Sequence, residues 1–152
     1  MIKNLIKKSY SDIFDKLYEI TNGRVILSGS LSLRYRNIIN RDINDLDVNI
    51  LIDDWKLYKN TLQKCFRIYP NFIIKHSILH YEVYTCLDKD TKLNEFHLFV
   101  NHSTDIFDVI NDIRILKPDY HLVDKQMIYD SGQDVEKHLN DIELIKSYLS
   151  EK

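Results

Sequence analysis

Along the first fifty residues the apolar positions recur with two different periods. Ile2, Leu5, Ile6, Ile13, Phe14 and Leu17 fall three and four apart, the spacing of an amphipathic helix from residue 2 to about 20, and Asn22-Gly23 stops it. Arg24 to Ser28 is a short β-branched strand, which Gly29-Ser30 turns into a second helix carrying Leu31, Tyr35 and Ile38. Residues 45 to 52 are another strand. Asp53 or Asp54 can cap a helix through Trp55, Tyr58 and Leu62, and Pro70-Asn71 breaks the chain again. From Phe72 to Val100 the pattern is that of strands, "FIIKH", "ILHYEVYTCL" and "LNEFHLFV", with the polar "DKDTK" as a hairpin turn. Ser103-Thr104-Asp105 reads as a helix start, with Ile106, Phe107, Val109, Ile110 and Ile113 behind it. Beyond Pro118 two helical segments flank Gly132, the second carrying Val135, Leu139, Ile142, Ile145 and Leu149. This order predicts an α/β (α+β) architecture, a sheet with a helical C-terminal segment. It predicts one domain, with a core over about 1–104 and the helical part over about 105–152.

Composition narrows the class without naming a function. With 44% hydrophobic and 29% charged residues, the 152-residue chain is of ordinary globular composition, long enough for one core. No apolar run approaches the roughly 20 residues that span a bilayer, and charges interrupt "MIKNLIKKSYSDIF" too often for a signal peptide, so no membrane partner and a cytoplasmic location are expected. Cys65 and Cys86 are too few and too distant for a disulfide framework or zinc ribbon. A net charge of -2 argues against nucleic acid as the default partner, although Arg34, Arg36 and Arg41 form a local basic stretch.

That stretch leads into the chemistry. Asp45 and Asp47 stand two apart in an apolar strand and therefore point to one face, away from Leu46, Val48 and Ile50. Two close carboxylates repel, and a half-buried pair needs a cation or a proton. Magnesium, or manganese, fits: it takes oxygen ligands, often one or two carboxylates, and leaves other positions to water and phosphate. Gly29-Ser30, at a strand-to-helix corner, would expose backbone N–H groups and a hydroxyl to a phosphate. Rival features are weaker. Asp88 and Asp90 lie in a polar turn, His76 and His80 lack partner ligands, and neither Ser28 nor Ser30 sits in a nucleophile motif.

The order of these features, "ILSGS", a helix, Arg41 and then "DLDVNIL", resembles the polymerase-beta superfamily of nucleotidyltransferases. "RDINDLD" looks like the Arg-x-x-x-Asp-x-Asp form of the branch with minimal and abortive-infection toxin nucleotidyltransferases. In "DKQMIYDSGQDVEKHLNDIELIKSYL", Lys125, Lys137 and Asp141 are similar to that branch's Lys and Lys-Asp-x-x-Asp helix, with His138 in place of the first Asp. The resemblance implies a nucleotidyltransferase fold with a mixed sheet flanked by helices. It also implies a third carboxylate on a later strand, for which "LNEFHLFV" offers Glu95 and His97 on one face.

The implied activity is transfer of a nucleoside monophosphate from an NTP to an acceptor hydroxyl on RNA, protein or a small molecule. Asp45 and Asp47 would hold magnesium or manganese, and His97 or Glu95 would take the proton. Gly29, Ser30, Lys125, Lys137 and Asp141 would serve substrate binding, and Arg41 would join them or pair with Asp42. The alternative is a catalytically impaired nucleotide-binding or regulatory module on the same fold, with a protein partner.

Overall fold

The computed structural model describes residues 2–90, 94–132 and 135–151, and at Val135 and Lys137 the backbone only. The elements are α1 (Lys8–Ile20), β1 (Ile26–Leu27), α2 (Gly29–Tyr35), β2 (Asp47–Leu51), α3 (Ile52–Cys65), β3 (Phe66–Lys75), β4 (His80–Asp88), β5 (Glu95–Asn101), β6 (Phe107–Ile110), β7 (Ile113–Leu116), α4 (Pro118–Asp130) and α5 (Val135–Ser150). The strands form one sheet in the order β3-β4-β5-β2-β1-β7-β6. β2 runs parallel to β5 and β1 parallel to β7, while the other neighbours are antiparallel, so the sheet is mixed.

Strand alternation gives this sheet two unlike faces. Val48 and Ile50 of β2, with Phe96 and Leu98 of β5, join Phe14 and Leu17 of α1 and Leu62 of α3 in the main core. Asp47 and Asn49 of β2 point the other way, with Phe99 and Asn101 of β5, toward a cavity also bordered by α4.

Three sequence expectations change. α1 begins at Lys8 rather than residue 2, because the chain first makes a turn closed by Leu5 N donating to Ile2 O at 3.0 Å, yet Ile2 and Ile6 are still buried. Neither Asp53 nor Asp54 caps α3. Both lie in its first turn, and Asp54 accepts from Arg24 Nη1 at 2.8 Å. Pro70 does not break the chain but sits within β3, at a register shift that its place on an edge strand tolerates.

The largest difference is at residues 103–116. The helix expected behind Ser103 is a β-hairpin, with Ile110 paired to Ile113 across Asn111 and Asp112. Both turn residues have positive φ, 53° and 65°, as a two-residue hairpin with the right twist requires. Pairing of β7 with β1 then buries Ile113 and Ile115 in the core. The three- and four-residue spacing of Ile106, Val109, Ile110 and Ile113 suits helix and hairpin alike; the turn decides. Helical structure resumes at Pro118. The Asp88–Lys92 turn lies partly outside the described residues.

Candidate active site

β1 ends one residue before the glycine corner, and Ser28 N donates to Asp47 O at 3.2 Å, which ties that corner to the start of β2. Gly29 has φ +60°, and a Cβ there would lie 2.7 Å from Asp47 Oδ2 and 2.9 Å from Asp47 Cβ. The glycine is therefore required twice, for its backbone angle and for the space its missing side chain leaves to the carboxylate. Asp45 precedes the strand and is exposed. Both aspartates, with Gly29 and Ser30, border one cavity of about 890 Å³.

This donor set suits a divalent ion. Two carboxylates bordering a common cavity match what magnesium or manganese commonly take from a protein. Among the described residues no group of three or more His, Cys, Asp or Glu is arranged to hold a metal. An ion here would draw its remaining ligands from water and from a substrate's phosphates.

The basic side of the cavity is assembled from distant parts of the chain. Arg41 does not pair with Asp42, which instead lies 3.8 Å from Arg34 Nη1. Arg41 Nη2 donates to Asp141 Oδ2 at 3.0 Å and to Ser30 Oγ at 3.1 Å. Lys125 Nζ is 3.0 Å from the same Asp141 oxygen and 3.3 Å from His138 Nδ1. Lys125 and Asp141 are buried, and a carboxylate between two cations is the arrangement in which such charges are tolerated inside a protein. Arg41, Lys125 and His138 border the cavity, whereas Asp141 lies behind them and orients them. Lys137 is on α5, and its side chain lies outside the described residues. Two buried nitrogens bordering this end, Arg41 Nη1 and His121 Nδ1, have no hydrogen-bond partner among the described residues. Burial, with Lys125 and His138 close by, pushes the His121 imidazole down to about 3, so it is neutral.

On the other flank of Asp47, His97 is its partner across the β2–β5 pairing. His97 Nδ1 lies 3.3 Å from Asp47 Oδ1, and Nε2 lies 3.8 Å from Glu95 Oε1. The bond to Asp47 lifts the imidazole above its ordinary range, against the opposing effect of burial. His97 and Glu95 do not border the cavity itself; they adjoin Asp47 from β5.

Away from the aspartates the cavity wall becomes aromatic, through Phe72, Tyr81, Phe99 and Tyr120. Tyr81 OH donates to Asp124 Oδ1 at 2.6 Å. Asn101 Nδ2 donates to Tyr120 OH at 2.7 Å and to Asn49 Oδ1 at 3.2 Å, and Asn49 Nδ2 donates to Ser28 Oγ at 2.8 Å. A chain of amides thus joins the glycine corner to α4. Sequence reasoning missed Asn49, Asn101, Tyr81, His121 and Asp124. Asn49 had a signal, since it follows Asp47 by two and shares its face. On α4 the signal was Tyr120, His121, Asp124, Lys125 and Ile128 at the spacing of one helix face, mixing charge with aromatic surface.

This arrangement of sheet and helices has counterparts among solved structures. A proposed nucleotidyltransferase from Thermotoga maritima superposes with a TM-score of 0.53 and 13% identity over 97% of this chain and 96% of that one. The polyadenylate synthase of Megavirus superposes at 0.50, with 13% identity over 83% of this chain. The fold is that of the nucleotidyltransferases. The chain spans 28% of the length of the viral polyadenylate synthase. No protein-family model matches the sequence, and no curated protein matches it. The nucleotidyltransferase fold expected from "ILSGS" and "DLDVNIL" therefore holds, with its mixed sheet, flanking helices and helical C-terminal segment. No described helix is long and apolar enough to cross a membrane.

Proposed function

We propose that this chain is a metal-dependent nucleotidyltransferase that moves a nucleoside monophosphate from an NTP to an acceptor hydroxyl of RNA, protein or a small molecule, releasing pyrophosphate. The observation that carries this reading is the close approach of Asp47 to Gly29, with Asp45 bordering the same cavity. Asp45 and Asp47 would hold magnesium or manganese, which when bound neutralises charge on the phosphates. The Gly29-Ser30 corner would turn backbone N–H groups toward the triphosphate, and the Ser30 hydroxyl would donate to it. Arg41 Nη1 and Lys125 would offset charge on the departing pyrophosphate. The acceptor oxygen would attack the α-phosphorus as the bond to the β-phosphate oxygen breaks. His97, with Glu95 beside it, would take the acceptor's proton.

The experiment is incubation with labelled ATP, CTP, GTP or UTP and candidate RNA, protein and small-molecule acceptors. Metal-dependent labelling that disappears in Asp45→Ala and Asp47→Ala is the expected result. Labelling that persists in both variants overturns the assignment.

One observation favours a second reading. The residue opposite Asp47 on β5 is a histidine rather than a carboxylate, which is compatible with a module that binds nucleotide without turning it over. Calorimetry separates the two: tight binding of the metal–NTP complex with no product under any acceptor supports the module, and robust product formation eliminates it.

A further inference from the structure

Among the described residues, the aromatic end of the cavity contains one carboxylate, Asp124 of α4. Tyr81 OH donates to Oδ1, and no second hydrogen bond reaches this side chain among the described residues. Oδ2 and a remaining lone pair of Oδ1 are therefore open acceptors. Tyr81 is itself fixed, buried and tilted against the Phe99 ring at 5.4 Å between centroids. Asp124 is half-buried and borders the cavity, so its free oxygen faces open space, where a ligand that displaces water must donate to it or leave it unmatched.

The position along the sheet suits a nucleobase. His97 and Phe99 share the face of Asp47 on β5, one residue pair or about 7 Å apart, and Tyr81 lies on β4, the next strand. A nucleotide with its phosphates at Gly29 and Asp47 would carry its base among Phe72, Phe99 and Tyr120, flat surfaces on which a base stacks. We propose that Asp124 reads guanine at this end, making GTP the nucleotide of the site; this rests on the function proposed above.

Guanine and a carboxylate have matching edges. A carboxylate presents two acceptors side by side, and guanine presents two donors side by side, N1–H and N2–H2. Adenine offers its N6 donor beside the N1 acceptor, and cytosine its N4 donor beside the N3 acceptor. Uracil sets one donor between two carbonyl acceptors. Each of these three turns at least one lone pair toward a carboxylate oxygen, and a site whose polar groups go unmatched discriminates strongly.

The test is calorimetric titration of the full chain, with magnesium, against non-hydrolysable GTP, ATP, CTP, UTP and xanthosine triphosphate. GTP is expected to bind tightest, by roughly 10- to 100-fold. Asp124→Asn replaces one acceptor with a donor, which suits xanthine's N1–H beside its O2 carbonyl. That variant should lose a similar factor for GTP and gain affinity for the xanthine nucleotide. Binding of ATP, CTP or UTP as tightly as GTP overturns the inference, as does an unchanged rank order in Asp124→Asn. If Asp124→Asn does not fold, the ranking by the unaltered chain decides alone. Absence of binding by every triphosphate overturns this inference together with the proposed function, whereas binding without guanine preference overturns this inference only.

Discussion

The two faces of β2 divide the labour of the molecule. Val48 and Ile50 are packed into the core between the sheet and α1 and α3, while Asp47 and Asn49, their immediate neighbours, border the cavity. The core face is uniformly apolar and interchangeable in kind. The cavity face is polar and particular: Asp47 approaches Gly29 too closely for any other residue there, and Asn49 is bonded to Ser28 and Asn101. On this strand stability and chemistry are separable at one-residue resolution; the buried charges of Lys125 and Asp141 beside the cavity are the exception.

Asp47→Ala tests that separation hardest. Losing a carboxylate of the proposed metal pair should cut transfer about 10³-fold, while thermal stability changes little, since relief of repulsion from Asp45 offsets the lost bond to His97. A rate assay beside a melting curve checks both. Asp141→Ala probes the exception. It leaves Arg41 and Lys125 without their shared carboxylate, and a buried charge stripped of its partner costs about 3–5 kcal/mol. Urea unfolding measures it, and a loss near zero would break the account of this cluster. Ile50→Ala is the mirror image of Asp47→Ala. It should cost about 2–5 kcal/mol through the cavity it leaves, with nucleotide affinity unchanged by calorimetry.

The smallest effect is a slope. His121 is held down to about 3 when folded, whereas an unfolded histidine takes a proton near 6.5. Its contribution is complete above pH 6.5 and declines as pH falls toward 3, by about 1.4 kcal/mol per pH unit. Urea midpoints at pH 7.5 and pH 5 should therefore converge in His121→Leu relative to the unaltered chain, and equal slopes in both would contradict the burial of a neutral imidazole.

Sequence made one half of the site legible and hid the other. Gly29, Ser30, Asp45 and Asp47 lie within twenty residues, and their order carries both the fold and the reading of the corner. The cavity's far wall comes from residues distant in sequence: Tyr81 meets Asp124 and Arg41 meets Asp141 across stretches of chain that no spacing rule connects. Lys125 and Asp141 were singled out by likeness, but that they share one oxygen contact with Arg41 emerges only in three dimensions. In the fold, the misread hairpin shows the limit of periodicity. Four apolar residues at helical spacing lost to two turn residues able to adopt positive φ, and to a strand, β1, that needed a parallel neighbour.

If Asp45 and Asp47 join with the Gly29 corner to grip a metal-bridged triphosphate, magnesium and a non-hydrolysable NTP together must raise the temperature of thermal unfolding. At a ligand concentration about 100 times Kd the stabilisation is about 2.7 kcal/mol, a rise of roughly 5–10 °C for a chain of this size. That rise is expected when metal and nucleotide are present together, and none is expected in the Asp45→Ala/Asp47→Ala double variant. An equal rise in the double variant, or no rise with any of the four nucleotides, would contradict it.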